Sequence, residues 1–385
     1  MGGVRGSRIA AVSLLALLLV FGSLFVALGG SDANDRTTVD LGVVLSLSGP
    51  ASIYGLSSQK GLELALAEIN EGNAVPGVTI VPTVRDDGGS ADTAAALFQE
   101  LLDAGVDVVA GPTLSNSAVV ADPVAAAAGL PVLAISNTAT GITSIGDTIF
   151  RIPVADERVV PFVVATAVES LNLHTAALLW ANDEAYATSA AEVMRRAAAE
   201  HGLEITIEQQ FSTNDTDFSA ALRAVQQAAP DALLIAALTD ATIAVVTQAR
   251  EMGLDQHIIC GNSCNPPAFL AGAGAAAEGL LVGATWNSAV MRGNSAAFIA
   301  AFRARFNHDP DQFAAQAYTA MYVLADAARR AASSEPADLV AALAATRDVP
   351  SPLGDFSFDA QREPAIDPVV QVVRDGAFTV LDAEN

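Results

Sequence analysis

Residues 39–71, VDLGVVLSLSGPASIYGLSSQKGLELALAEINE, contain the unit from which most of the chain is built. The apolar run Val39–Leu47 is strand-like and stops at Ser48-Gly49-Pro50, a turn-forming triplet. From about Leu56 to Glu71 the period changes. Leu62, Ala65, Leu66 and Ile69 fall at i, i+3, i+4 and i+7, which makes one apolar stripe of a helix. Val78–Val84 is then a second strand, and Ala94, Leu97, Phe98 and Leu101 mark a second helix. Val106–Ala110 is a third strand, ended by Gly111-Pro112; a helix from Ser115 to Gly129 and the strand Pro131–Ile135 follow. Short apolar strands separated by amphipathic helices are the pattern of a parallel sheet covered on both faces.

Phe150–Val154 (FRIPV) interrupts this pattern, and the alternation restarts. Strands are expected at Ala176–Trp180, Ile205–Phe211, Ala232–Ala236, Ile258–Ile259 and Leu280–Thr285, with helices at about 157–171, 188–201, 217–228 and 240–252. A helical run follows, marked by Phe298, Phe302 and Phe306 and continuing over Ala314–Arg330 and Ala337–Thr346. Short strands close the chain at Gly354–Phe358, Val369–Arg374 and Ala377–Leu381, with an Asp375-Gly376 hairpin turn. The expected fold is α/β, two doubly wound parallel-sheet lobes, and 385 residues suit two domains.

Lys and Arg number 19 against 43 Asp and Glu, a net charge of −24. That balance argues against nucleic acid and anionic lipid as partners, because both require basic surface. Hydrophobic residues make up 52% of the chain, ample for two cores. Arg5 and Arg8 precede Ile9–Leu28, an uncharged run about one bilayer thick, so residues 1–30 read as an export signal or an uncleaved anchor. No cysteine lies near it to carry a lipid. Either way the remainder is expected outside the cytoplasm, periplasmic or at the cell surface. Cys260 and Cys264 could form a local disulfide, half a metal site, a redox pair, or remain two inert thiols.

Function should sit in the loops at the carboxyl ends of the strands. None of His174, His201, His257 and His308 falls where it would serve a nucleophile, no nucleophile elbow or Walker loop is present, and Gly272-Ala273-Gly274 follows no convincing strand. Catalysis, a cofactor and a metal are therefore not expected. Two hydroxyl-rich loops stand out instead, Gly111–Ser117 and Ser136–Thr140. Helix N–H groups and hydroxyls at such junctions suit a carboxylate or amide, although ordinary helix capping would use the same residues.

Taken in order, Leu47-Ser48-Gly49-Pro50, Tyr54-Gly55, Asp86-Asp87, Gly105-Val106-Asp107, Gly111-Pro112, Phe150-Arg151, Trp180-Ala181-Asn182-Asp183 with Tyr186, Ala277-Glu278-Gly279-Leu280 and Phe356-Ser357-Phe358-Asp359 carry a resemblance. The chain resembles the type I periplasmic solute-binding proteins of ABC importers, in the leucine/isoleucine/valine-binding (extracellular ligand-binding receptor) branch. The resemblance runs from Val39 to about Leu381. It implies lobes joined by a three-crossover hinge: 1–38 signal or anchor plus linker, 39–152 and 285–352 the first lobe, 153–284 and 353–385 the second. It implies a monomer that takes an amino acid or a related amide or carboxylate and delivers it to permease subunits; a membrane-tethered sensor is the alternative. Ser115, Thr138 and Thr140 match the positions that hold a ligand's carboxylate and ammonium, and Tyr54 and Tyr186 match aromatic walls. Leu238 stands where the family has a second tyrosine. Ser263 stands at or near the family's ammonium-pairing acid, so either Asp240, Asp183 or Glu184 substitutes or the ligand lacks an amine.

Overall fold

A computed structural model describes residues 36–381. The export segment expected at 1–30 lies outside the described residues, among which no helix is long and apolar enough to cross a membrane. The first sheet contains β1 (Thr37–Leu45), β2 (Val78–Asp86), β3 (Val108–Ala110), β4 (Val132–Ala134) and β5 (Ile149–Arg151). Its order is β2-β1-β3-β4-β5, and every pairing is parallel. The Phe150-Arg151 stretch is thus the fifth strand rather than an interruption. Three residues followed by Pro153 are too few to show a period.

Alternation along β1 separates two cores. Val39, Leu41, Val43 and Leu45 face one cluster and Val44 the other. The first cluster is covered by α1 (Ser52–Asn70), and the second by α2 (Ala91–Asp103) and α3 (Ser115–Ala127).

The second sheet repeats the winding. Here β6 (Thr175–Ala181), β7 (Glu204–Phe211), β8 (Ala232–Ala236), β9 (His257–Cys260) and β10 (Leu281–Ala284) stand parallel in the order β7-β6-β8-β9-β10. Their helices are α4 (Asp156–Leu171), α5 (Ala185–Glu200), α6 (Ser219–Ala228), α7 (Thr239–Glu251) and the short α8 (Pro267–Ala273). The chain then returns to the first core with α9 (Ser295–Phe306), α10 (Gln312–Ala331) and α11 (Pro336–Ala344). Gly61 of α1 lies so close to α10 that a Cβ would stand 2.0 Å from the Ala314 carbonyl oxygen, so this helix pair packs backbone against backbone only because residue 61 is glycine.

A small hairpin, β11 (Val349–Ser351) and β12 (Gly354–Phe356), follows. Phe356, Phe358 and Ile366 belong to the first lobe's cluster. Only β13 (Val369–Arg374) and β14 (Ala377–Val380) join the second sheet, antiparallel, through the expected Asp375-Gly376 turn. The third passage between lobes therefore lies between Ile366 and Val369, beyond the boundary expected at 352–353. The cause is packing: Phe358 stacks on Phe150 with ring centroids 5.2 Å apart, a contact invisible in the local pattern. The first two passages are tied together where the Val154 N–H donates to Thr285 Oγ1 at 3.0 Å.

Candidate functional site

Each sheet reverses its winding beside its first strand, between β1 and β3 in one lobe and between β6 and β8 in the other. Loops diverge at such a point and leave a crevice at the strand ends. The two crevices form one cleft, lined by Tyr54, Thr113, Leu114, Ser115, Ser136, Asn137, Thr138 and Phe313 from the first lobe and Tyr186, Leu238, Asn262 and Ser263 from the second. It holds about 320 Å3 of atom-free space, in part continuous with solvent. Direct hydrogen bonds cross it. Tyr54 Oη and Thr239 Oγ1 are 2.5 Å apart, Thr140 N–H donates to Ser189 Oγ at 2.8 Å, Gln312 donates to Asn262 at 2.6 Å, and Ala185 N–H donates to the Asn116 side chain.

On the first lobe the loop after β3 is shaped by Gly111. Its φ is +116°, and a Cβ there would stand 2.1 Å from the Val44 carbonyl oxygen. That turn lets Thr113 Oγ1 accept from Ser46 N–H at 2.9 Å, coupling the loops after β1 and β3. Helix α3 then starts with Leu114 at its N-cap and no side-chain cap, leaving first-turn N–H groups for another acceptor. Among the described helices α2, α5 and α10 are capped by Ser90, Glu184 and Asp311, while the others start, like α3, without a side-chain cap. Ser115 Oγ accepts from Ala139 N–H at 3.2 Å and keeps its own proton to donate. The loop after β4 is not a second helix start, as its hydroxyls promised; only a 3-10 turn, Ile142–Ser144, follows it. It is held instead by Ser136 to the Thr113 carbonyl at 2.6 Å, Asn137 to the Pro112 carbonyl at 3.0 Å and Thr138 to Asp156 at 3.1 Å.

On the second lobe Tyr186 Oη accepts from Ser263 N–H at 3.2 Å, and Thr239 Oγ1 donates to the Ser263 carbonyl at 2.5 Å. Cys260 and Cys264 are joined by a disulfide, which resolves the alternatives left open by their spacing. The bridge encloses Asn262 and Ser263, both lining the cleft. Closing so short a loop is expected to contribute about 2 kcal/mol. Reduction, or Cys260→Ser with Cys264→Ser, should lower unfolding stability by that amount and weaken solute binding several-fold. Titration calorimetry with and without reductant checks it, and equal affinities would separate the bridge from the site.

Of the residues expected from sequence, Ser115, Thr138, Tyr54, Tyr186 and Ser263 line the cleft, as does Leu238. Thr140 and Asp240 do not: both are exposed. Thr140 bridges to Ser189, and Asp240 sits in the first turn of α7, where an acid favours the helix dipole. Asp183 is also exposed and accepts from Ser212 and from both the N–H and hydroxyl of Thr213.

Glu184 is the buried one of the three acids weighed from sequence. Burial pushes its carboxyl up to about 7 against the pull of the Ala187 and Tyr186 N–H groups. Sequence reasoning missed Asp156, which lies in the first turn of α4 and reads there as an ordinary dipole partner. It is 1% exposed, and burial pushes it up to about 7, against its bond from Thr138 and the Arg151 charge. Phe313 was missed as well, since its place in α10 gives no sign that it reaches the cleft. Burial also raises both tyrosines, so their hydroxyls stay neutral donors.

This geometry has known counterparts. A family model described as a periplasmic binding protein matches residues 38–377. The chain belongs to the periplasmic binding protein family. Among curated relatives of this periplasmic binding protein is the leucine-, isoleucine-, valine-, threonine- and alanine-binding protein of Pseudomonas aeruginosa, 26% identical over 343 residues, covering 88% of this chain and 91% of the relative. Among solved structures is LivJ, the branched-chain amino acid transporter substrate-binding protein of Streptococcus pneumoniae, in complex with isoleucine. It is 28% identical with a TM-score of 0.83, covering 90% of this chain and 99% of that one. A solute-binding protein of an ABC transporter from R. palustris, in complex with benzoate, shares the fold at a TM-score of 0.81 and 21% identity, covering 89% and 95%.

Proposed function

We propose that the protein is the extracytoplasmic solute-binding subunit of an ABC importer and captures a small polar solute, a branched-chain or other amino acid, by hinge closure. The observation that carries this reading is the uncapped start of α3 with Ser115 and Thr138 on one wall of the cleft, opposite Tyr186 and Leu238 on the other. The first wall offers neutral donors to a carboxylate, and the second closes an apolar surface over what remains. Solute bound to the first lobe shifts the open–closed equilibrium by its greater affinity for the closed form. The closed monomer is what a permease would receive. Chemistry on the solute has no part in this role. The amino acids named for the Pseudomonas relative and the isoleucine in LivJ support the ligand class.

A thermal-shift screen of amino acids, amides and aromatic carboxylates tests the reading. A branched-chain amino acid at about 100 times its Kd is expected to add about 2.7 kcal/mol of stability. Ser115→Ala and Tyr186→Ala are each expected to weaken binding about tenfold without loss of fold, the scale of one hydrogen bond to a charged group. Unchanged affinity in both variants would overturn the site assignment, and a screen with no stabilising solute would overturn the function.

A further inference from the structure

We propose that Asn262, Gln312 and Gln371 are positioning residues, and that a chain of buried side-chain amides ties the cleft to all three passages between the lobes. The inference goes beyond the solute-binding reading, because it names what sets the balance between the closed and open forms.

Every link of the chain points toward one atom. From the hinge side, Asn287 Nδ2 donates to Gln371 Oε1 at 2.6 Å, Gln371 Nε2 donates to Asn265 Oδ1, and Asn265 Nδ2 donates to Asn262 Oδ1 at 3.1 Å. From the first lobe, Gln312 Nε2 donates to the same Asn262 oxygen at 2.6 Å. Asn262 Oδ1 therefore takes one N–H from each lobe, which fills both of its lone pairs. Asn265, Asn287, Gln312 and Gln371 are all buried, none more than 7% exposed. Asn262 itself lines the cleft.

Each passage between the lobes is reached. The second is held where Thr285 N–H donates to Gln312 Oε1 at 2.9 Å, and Thr285 Oγ1 accepts from Val154 N–H of the first. Gln371 lies on β13, just after the third. Asn265 also donates to the Gly283 carbonyl on β10 at 2.9 Å, which fixes the middle of the chain to the second sheet. An amide must be matched at both ends, as donor and as acceptor, so a buried set of them is complete in few arrangements. Opening the cleft parts Gln312 from Asn262, and the closed form is the one in which every link is made. The wall that meets solute and the hinge that moves are thus joined by hydrogen bonds as well as by packing.

Hydrogen exchange of the full chain without solute reads closure at the N–H groups of Thr140 and Ala185, which donate across the cleft and bond to no member of the amide chain. Asn262→Leu and Gln312→Leu are each expected to speed exchange there about fivefold, the scale of one neutral hydrogen bond. Asn262→Asp keeps the accepting oxygen and should stay within about twofold of wild type. Gln371 is not among the residues that line the cleft. Gln371→Leu should nevertheless speed isoleucine release about threefold in stopped-flow measurements and leave the association rate unchanged. Combined with Gln312→Leu it should release isoleucine no faster than Gln312→Leu by itself, because both break one chain. Circular dichroism confirms the fold of each variant, and the two Asn262 variants carry the test should Gln312→Leu fail to fold. Exchange equal in wild type and the Leu variants, or Asn262→Asp as fast as Asn262→Leu, would overturn the inference and leave the solute-binding reading intact. So would release rates that multiply in the double variant. The expected exchange rates in a chain that binds no small solute would overturn the solute-binding reading alone.

Discussion

Arg151→Met is expected to cost about 3–5 kcal/mol of unfolding free energy, because it strands buried charge and polar groups at once. Arg151 is 1% exposed. Its guanidinium forms a fork with both oxygens of Glu363, and its Nη1 donates to the Ala139 carbonyl. Glu363 also accepts from Thr143 at 2.9 Å, so the returning segment 359–365 is strapped across the edge strand β5. The carbonyl held by Arg151 belongs to the cleft loop that carries Asn137 and Thr138. The variant should therefore bind solute more weakly as well as unfold earlier. Replacing both partners, Arg151→Met with Glu363→Met, is expected to recover part of the loss, since an apolar pair avoids the uncompensated carboxylate. Urea denaturation of the single and double variants decides this. A double variant no more stable than Arg151→Met alone would mean that the pair contributes little and that the Ala139 contact carries the effect.

Acidification should weaken amino-acid binding by at least roughly 30-fold between about pH 8 and about pH 5.5, with the fall beginning near pH 7. Burial holds Asp156 and Glu184 near 7. An ammonium favours the ionised carboxyls and lowers their pKa in the complex. Affinity is thus full above about 7 and falls as the pH drops below it, by up to a factor of about ten per unit for each group. The neighbouring titratable and charged groups are Asp183, Glu157, Tyr54, Tyr186 and Arg151. Against a burial effect of opposite sign, Ser212 and Thr213 hold Asp183 below the usual carboxylate range, and burial raises the tyrosines, so these three stay outside the window. For the unliganded fold the sign reverses. A carboxyl raised by burial adds stability at low pH, and that contribution is lost as the pH rises through about 7. Asp156→Asn with Glu184→Gln should flatten both dependences. A flat affinity profile for wild type across this range would sink the prediction.

Much of the fold was legible because its signals are local. A strand of β1 or β8 is a continuous apolar run, and α1 declares itself by its stripe. The elements that escaped were short or held by distant contacts. Ile149–Arg151 is three residues long, and β11 pairs with a segment that the pattern assigned to the other lobe. At the site, Ser115 and Thr138 lie in hydroxyl-rich loops at strand ends, where a doubly wound sheet opens, and the family resemblance named them together with Tyr54, Tyr186 and Ser263. Thr140 and Asp240 could not be told from them, since nothing local distinguishes a residue that faces the cleft from a neighbour that faces solvent.

The sequence by itself determined the alternation of strands and helices, the two windings and the loops at their ends, because each follows from nearest-neighbour sterics and the period of apolar residues. Only the tertiary structure decided which acids are buried. Asp156 and Asp240 both occupy the first turn of a helix, yet one is enclosed between lobes and the other is hydrated. Desolvation depends on everything within several ångströms, most of it brought from far along the chain, and no local pattern encodes it.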